Sequence, residues 1–251
     1  VLGLWFYAAR AQICYAVTMI FTDSGIILYR QPFREADRIV SLYTRQHGRI
    51  NVRLPGVARP TGKLKAFSEP FVYGDYRIYV RRGGTVGTVT GGKLHQVFPT
   101  VRRSLKRTTL AMHFCELVQR LTPLHQPSEA KFELLLSALT ELEYGQPNPA
   151  FAAAFTLRLM TLAGFGLDKP VLKIPAEFWR RMHEDKLSSL EFSSPEEMLS
   201  LAKCNSVCRR FLNQYLTYPL NTLKNFTLDE LDDAPFVLPA QKNVSTPHAL
   251  R

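Results

Sequence analysis

The spacing of apolar residues changes period once along this chain, and the change divides it into two differently built halves. Up to about Leu94 the apolar positions fall in short runs rich in β-branched and aromatic residues, separated by glycine, proline and charged turns, which is the pattern of strands. The runs cover 25–29, 38–44, 49–54, 71–80 and 86–94. Short strands with glycine at the corners suit a small closed barrel of the OB type, which leaves no open sheet edge. The turns Gln46-His47-Gly48 and Arg82-Gly83-Gly84 place glycine where a positive φ is expected. After Pro99 the period lengthens to about 3.6, the helical value. A helix is expected over 101–121, with Leu105, Met112, Cys115, Leu117 and Val118 turned inward. Ser128 is the expected N-cap of a run carrying Phe132, Leu135, Leu139 and Leu142 that stops at Gly145. A further helix follows Pro149 and carries Phe151, Phe155 and Leu159, and two more are expected over 177–187 and 195–216. The predicted class is α+β: an OB-fold barrel over 22–98, a helical domain over 99–228, and a loose tail over 229–251 containing Pro235, Pro239 and Pro247.

The charge divides near the same point, a few residues inside the helical half. The formal net charge is +11, yet residues 22–107 hold 17 Lys/Arg against 5 Asp/Glu, while residues 108–251 hold 14 against 16. A surplus confined to the strand-rich half describes a basic face on one domain, and the commonest partner of such a face is a phosphate backbone. A basic surface that only aids solubility is the alternative. A mean hydropathy of −0.09 argues against an integral membrane protein. Four scattered cysteines, Cys14, Cys115, Cys204 and Cys208, form no disulfide framework and favour a reducing, cytoplasmic setting. Residues 1–21 form an apolar extension interrupted by Arg10 and Gln12. Met19 is the expected true start, which would make residues 1–18 upstream sequence; a signal or anchor segment and a structural element are the alternatives.

No motif points to catalysis. Gly83, Gly84, Gly87, Gly91 and Gly92 lie within or beside strands and open no helix, so they read as hairpin glycines and not as a phosphate cradle. Cys204 and Cys208 share a helix face but lack a second ligand pair, and buried thiols are the better account. His113 and Cys115 point to different faces of one helix. What remains is the basic barrel. Arg34 and Arg38 flank its first loop, Arg49 follows the Gly48 turn and Arg53 ends a strand. Arg59, Lys63 and Lys65 crowd the next loop, and Arg81 and Arg82 adjoin Gly83, where a hairpin tip would bring them to the same mouth. Phe33, Tyr43, Phe67, Tyr73, Tyr76 and Tyr79 are the rings available for base stacking, core packing being the commoner role of each.

These residues resemble a known family. Gly25 to Leu28, then Phe33-Arg34-Glu35-Ala36-Asp37-Arg38-Ile39-Val40-Ser41-Leu42-Tyr43-Thr44 and His47-Gly48-Arg49-Ile50, are similar to the N-terminal barrel of the bacterial recombination mediator RecO family. Gly56-Val57-Ala58-Arg59, Glu69-Pro70-Phe71 and Phe98-Pro99 follow in the family's order, and Arg210-Phe211-Leu212 with Tyr215-Leu216 is similar to its closing helix. The resemblance implies a non-enzymatic protein of recombinational DNA repair, nucleoid-associated in the cytoplasm. It would bind single- and double-stranded DNA, anneal complementary strands, and work with RecR to load RecA on DNA covered by single-strand binding protein, whose acidic tail it would also bind. A groove among helices 101–163, rimmed by Arg120, Lys131 or Arg158, is the expected place for that tail. Many members carry a zinc module of two Cys pairs just after the position of Leu167 and Asp168. Here 167–173 holds no Cys, so no zinc or other cofactor is expected, as in the zinc-less relatives. An RNA-binding OB-fold factor and a membrane-attached interaction protein are the alternative functions.

Overall fold

The computed structural model describes residues 18–165, 174–216, 218 and 220–222; the apolar stretch 1–17, the 167–173 segment and the tail expected over 229–251 lie outside the described residues. Five strands come first: β1 (Met19–Phe33), β2 (Asp37–Thr44), β3 (Gly48–Leu54), β4 (Tyr73–Val80) and β5 (Gly87–Gln96). They close into a barrel in the order β1-β2-β3-β5-β4. Strand β1 is far longer than its run of apolar residues suggests, because it serves two neighbours. Its first half pairs with β4 from Met19↔Val80 to Ile26↔Tyr73, and its second half pairs with β2 from Gly25↔Thr44 to Phe33↔Asp37. The barrel closes through one parallel contact, Val52↔Gly87 and Arg53↔Thr88. A Cβ at Gly87 would lie 2.6 Å from Cγ2 of Ile78, so the seam requires a residue without a side chain.

Period-two burial holds in β3, where Ile50, Val52 and Leu54 point inward, and in β4, where Tyr76, Ile78 and Val80 do. It fails in β2, which is buried on both faces from Val40 to Thr44. It fails also in the middle of β1, where Ile27 joins the barrel core while Ile26 and Leu28 join a second core. The outer faces of these strands are roofed by helices, and that is the physical reason.

The helical half consists of α1 (Pro99–Arg103), α2 (Leu105–Leu121), α3 (Glu129–Tyr144), α4 (Phe151–Leu162), α5 (Ala176–Glu184) and α6 (Pro195–Tyr215) among the described residues. The single helix expected over 101–121 is broken at Ser104, whose extended backbone (φ −115°, ψ 126°) ends α1 while its side chain caps α2 by accepting from the Arg107 N–H. Such capping satisfies one of the donors that every helix start leaves open. Ser128 caps α3 as the sequence predicts, and Ser194 with Glu197 forms a capping box at α6. The N-terminus of α1 is held by a carboxylate from another helix: Glu143 accepts from the Thr100 and Val101 N–H groups at 3.0 and 3.1 Å. Helix α2 runs through the centre. Its Phe114 stacks on Phe155 with centroids 4.1 Å apart, and on Phe151 at 5.8 Å. The core around Phe114 also takes in Ile26, Leu28, Tyr43, Phe71 and Phe98, so barrel and helices share one apolar seam. Cys115, Cys204 and Cys208 are all buried, and burial pushes their thiols up to about 12, 11 and 12.

His113 on α2 is buried, with Nδ1 at 3.1 Å from the Thr222 hydroxyl, and burial pushes its ring down to about 4 against the restoring charge of Glu116. A folded-state value below the unfolded one of about 6.5 means that the unfolded chain binds the proton first. The contribution is therefore intact above about 6.5 and is lost as the pH falls towards 4, amounting to about 2 kcal/mol between pH 7 and 5. Thermal unfolding at those two pH values should show that loss in the native chain and a smaller one in His113→Gln.

Candidate nucleic-acid interface

The strands dispose the predicted basic residues in two groups of different character. Arg38, Arg49 and Arg53 are committed to protein partners. Arg38 donates to Ser68 at 2.8 Å and to Glu69 at 3.0 Å, and Glu69 also pairs with Arg30. Arg53 pairs with Asp37 at 2.8 Å, and that carboxylate, which also accepts from the Gly56 N–H, is held below the usual range. Arg49 reaches between the halves, its Nε donating to the Thr122 carbonyl at 2.8 Å; half-buried, it is pushed down by desolvation.

Arg34, Arg59, Lys63, Lys65, Arg81 and Arg82 are exposed, and none makes an ion pair among the described residues. Arg34 lies in the β1–β2 loop at a positive φ of 55° and covers the Phe33 ring at 5.2 Å. The loop that carries Arg59 is tied to the β1–β2 loop, the Ala58 N–H donating to the Ala36 carbonyl at 2.9 Å. Lys63 and Lys65 continue along this loop. The β4–β5 hairpin does not join that mouth. Pairing of Met19 with Val80 and of Phe33 with Asp37 sets Arg81 and Arg82 at the opposite end of β1 from Arg34.

Between these groups the outer wall carries a feature of which the sequence marks only Tyr79, Arg81 and Arg82. Outward alternation in β4 exposes Arg77 and Tyr79, with Arg81 next in the same series, and Ile20 of β1 lies across from Tyr79. The period-two pattern that identified β4 was the available signal. Among the rings considered for stacking, Tyr43 and Tyr76 are completely buried, Tyr43 with its hydroxyl on the Ser128 carbonyl at 3.2 Å, and both belong to the core. Phe67 packs against the barrel core and Tyr73 against the helical one. Tyr79 is exposed, as is Tyr29, which was not among the candidates.

The three cations expected to rim a helical groove are not gathered around one. Lys131 is buried on α3, and Arg158 donates to the Met182 and Asp185 carbonyls at the end of α5. Arg120 lines a separate cleft between β1 and α2. Among the described residues no group of three or more His, Cys, Asp or Glu is placed to hold a metal ion, and no helix is long and apolar enough to cross a membrane.

A closed five-stranded barrel bearing exposed cations, followed by a near-neutral helical bundle, defines an OB-type barrel protein with a helical extension. The family models described as "Recombination protein O N terminal" and "Recombination protein O C terminal" match residues 19–98 and 102–169. The chain belongs to the RecO family. It is 36% identical over 146 residues to a protein of Pelotomaculum thermopropionicum named "DNA repair protein RecO", covering 58% of this chain and 56% of that one. It is 31% identical over 176 residues to a protein of the same name from Dehalococcoides mccartyi, covering 70% and 66%, and 30% identical over 146 residues to that of Bacillus subtilis, covering 58% and 56%. The chain thus spans a little over half the length of the first of these relatives.

Proposed function

We propose that this chain is a non-enzymatic DNA-binding mediator of recombinational repair. Its barrel would hold the phosphates of single- and double-stranded DNA and bring complementary strands together. Its helical half would dock proteins, the family resemblance naming RecR, the tail of single-strand binding protein and, through them, RecA. The observation that carries the reading is the set of exposed barrel cations without carboxylate partners among the described residues, beside a helical half of nearly balanced charge. Cations already neutralised by carboxylates release few counterions on meeting a phosphate; unpaired ones release their full share. Among the described residues no element offers a groove-reading helix to this face, so contacts to the backbone with occasional ring stacking are expected, with little sequence preference.

The loop 56–65 gives the first test. Replacing Arg59, Lys63 and Lys65 by alanine should flatten the dependence of log affinity on log salt by about 2 on single strands, at about 0.7 per contact. An unchanged slope in a fluorescence-anisotropy titration would remove the loop from the interface. A matched RNA oligonucleotide bound more tightly than DNA would transfer the reading to an RNA-binding factor.

A further inference from the structure

The β1–α2 cleft holds about 540 Å³ and has two unlike walls. One is apolar, built from Leu28 and Met112, with the exposed Tyr29 ring at the mouth. The other is cationic, built from Arg49 and Arg120. Arg49 is desolvated and has no carboxylate partner among the described residues, and its charge pushes down the neighbouring His125 ring after burial itself. A half-buried guanidinium that among the described residues donates to a carbonyl and meets no carboxylate is a receptor for an anion. The one carboxylate in the cleft is already engaged. Glu116 accepts from the Asn221 and Thr222 N–H groups at 2.9 and 3.0 Å and from the Thr222 hydroxyl at 2.8 Å, leaving Arg120 at 3.7 Å.

Glu116 therefore pins the chain at Thr222 to the cleft wall. A short way beyond lies the most acidic stretch of the sequence, Asp229-Glu230-Leu231-Asp232-Asp233, followed by Ala234-Pro235-Phe236. The intervening residues 223–228 can reach roughly 20 Å when extended, enough to leave the wall at Thr222 and return to the cleft that Thr222 itself lines. Carboxylates followed by an aromatic ring match a cationic wall facing an apolar one. A tether of this length also holds its segment at an effective concentration on the order of millimolar.

We propose that the β1–α2 cleft is the docking site of the chain's own segment 229–236, with its carboxylates on Arg49 and Arg120 and Phe236 against Leu28 and Met112. The docked segment shields the cleft and competes with any other acidic, apolar-ended peptide for it. A DNA phosphate would satisfy the guanidinium groups but not the apolar wall.

The test uses the full chain and a labelled peptide of residues 229–238. The comparison chain is a full-length variant with Asp229→Asn, Glu230→Gln, Asp232→Asn, Asp233→Asn and Phe236→Ala, which empties the cleft without altering its walls. The peptide should bind the variant about tenfold more tightly than the unaltered chain, as a millimolar tethered competitor predicts for an affinity near 0.1 mM. Adding the solvent-facing Arg120→Glu to the variant should weaken the peptide at least about tenfold. Equal binding to the two chains, or no binding to the variant, would overturn the proposal. So would loss of the peptide on replacing Arg59, Lys63 and Lys65 but not Arg120, because the segment would then sit on the barrel loops. An oligonucleotide weakened by Arg120→Glu where the peptide fails to bind would give the cleft to DNA instead. Peptide binding is read without DNA, so failure of the DNA-binding reading leaves this result interpretable.

Discussion

Replacing Arg34, Arg59, Lys63, Lys65, Arg81 and Arg82 together by alanine should almost abolish the salt dependence of single-strand binding. If all six contact phosphates at about 0.7 each, the native slope holds a contribution of about 4 from them. A slope of that size costs the native protein roughly two to three decades of affinity between 50 and 200 mM salt, and the variant should lose almost none. At low salt the two should differ by a comparable factor. These side chains are exposed and make no ion pair among the described residues, so thermal stability should stay within about 0.5 kcal/mol. Arg38→Ala and Arg53→Ala are the informative contrast. Each removes the partner of a carboxylate, Glu69 or Asp37, and should lower stability while changing the salt slope little. Loss of DNA binding through Arg38 or Arg53 with stability intact would place these arginines on the nucleic acid and not on Glu69 and Asp37.

The second large effect is expected at Gly48. It turns from β2 into β3 at φ +68°, and a Cβ there would lie 2.4 and 2.5 Å from the Gln126 carbonyl carbon and oxygen and 2.7 Å from the Pro127 nitrogen. Alanine pays for the left-handed conformation at about 1 kcal/mol, and it must also push back the α2–α3 linker, which is backbone and cannot rotate aside. The displacement strikes the contact in which the His125 N–H donates to the Arg49 carbonyl at 2.9 Å. A loss of about 3 kcal/mol or more is expected in urea unfolding. Gly83 separates the two causes: its φ is +73°, yet nothing lies within 4 Å of its ideal Cβ, so Gly83→Ala should show only the conformational part, about 1 kcal/mol. Equal losses at the two positions would show that the linker yields freely.

Local signals located the strands, the Gly48 and Gly83 turns and the Ser128 cap, because each depends on residues a few positions apart. The choice among cations was not local. Arg38 meets Glu69 across 31 positions and Arg53 meets Asp37 across 16, so nothing in the immediate sequence of either arginine marks it as engaged. The role of Tyr43 was hidden for the same reason: an alternating strand faces solvent on one side unless something roofs it, and the roof is Phe132 on α3, with ring centroids 6.1 Å away. The break at Ser104 was partly visible, since serine is a preferred cap, but apolar spacing continues through it and conceals the stop. Arg77 is legible from the strand pattern alone, since it stands two positions before Tyr79 on the outward face of β4.

The seam through Ile26, Leu28, Tyr43, Phe71 and Phe98 has a consequence for the modularity of this architecture. A barrel excised from its helices would present those five side chains to water, and the helices alone would lose one wall of the core around Phe114. The two halves should therefore melt in a single transition, and a chimera that exchanges barrels between relatives should fold only when the five seam positions travel with α2. Mechanical coupling follows as well: a load applied to the barrel reaches α2 through packed side chains and not through a slack hinge, so the outer face of the barrel and the helical bundle keep a fixed spacing.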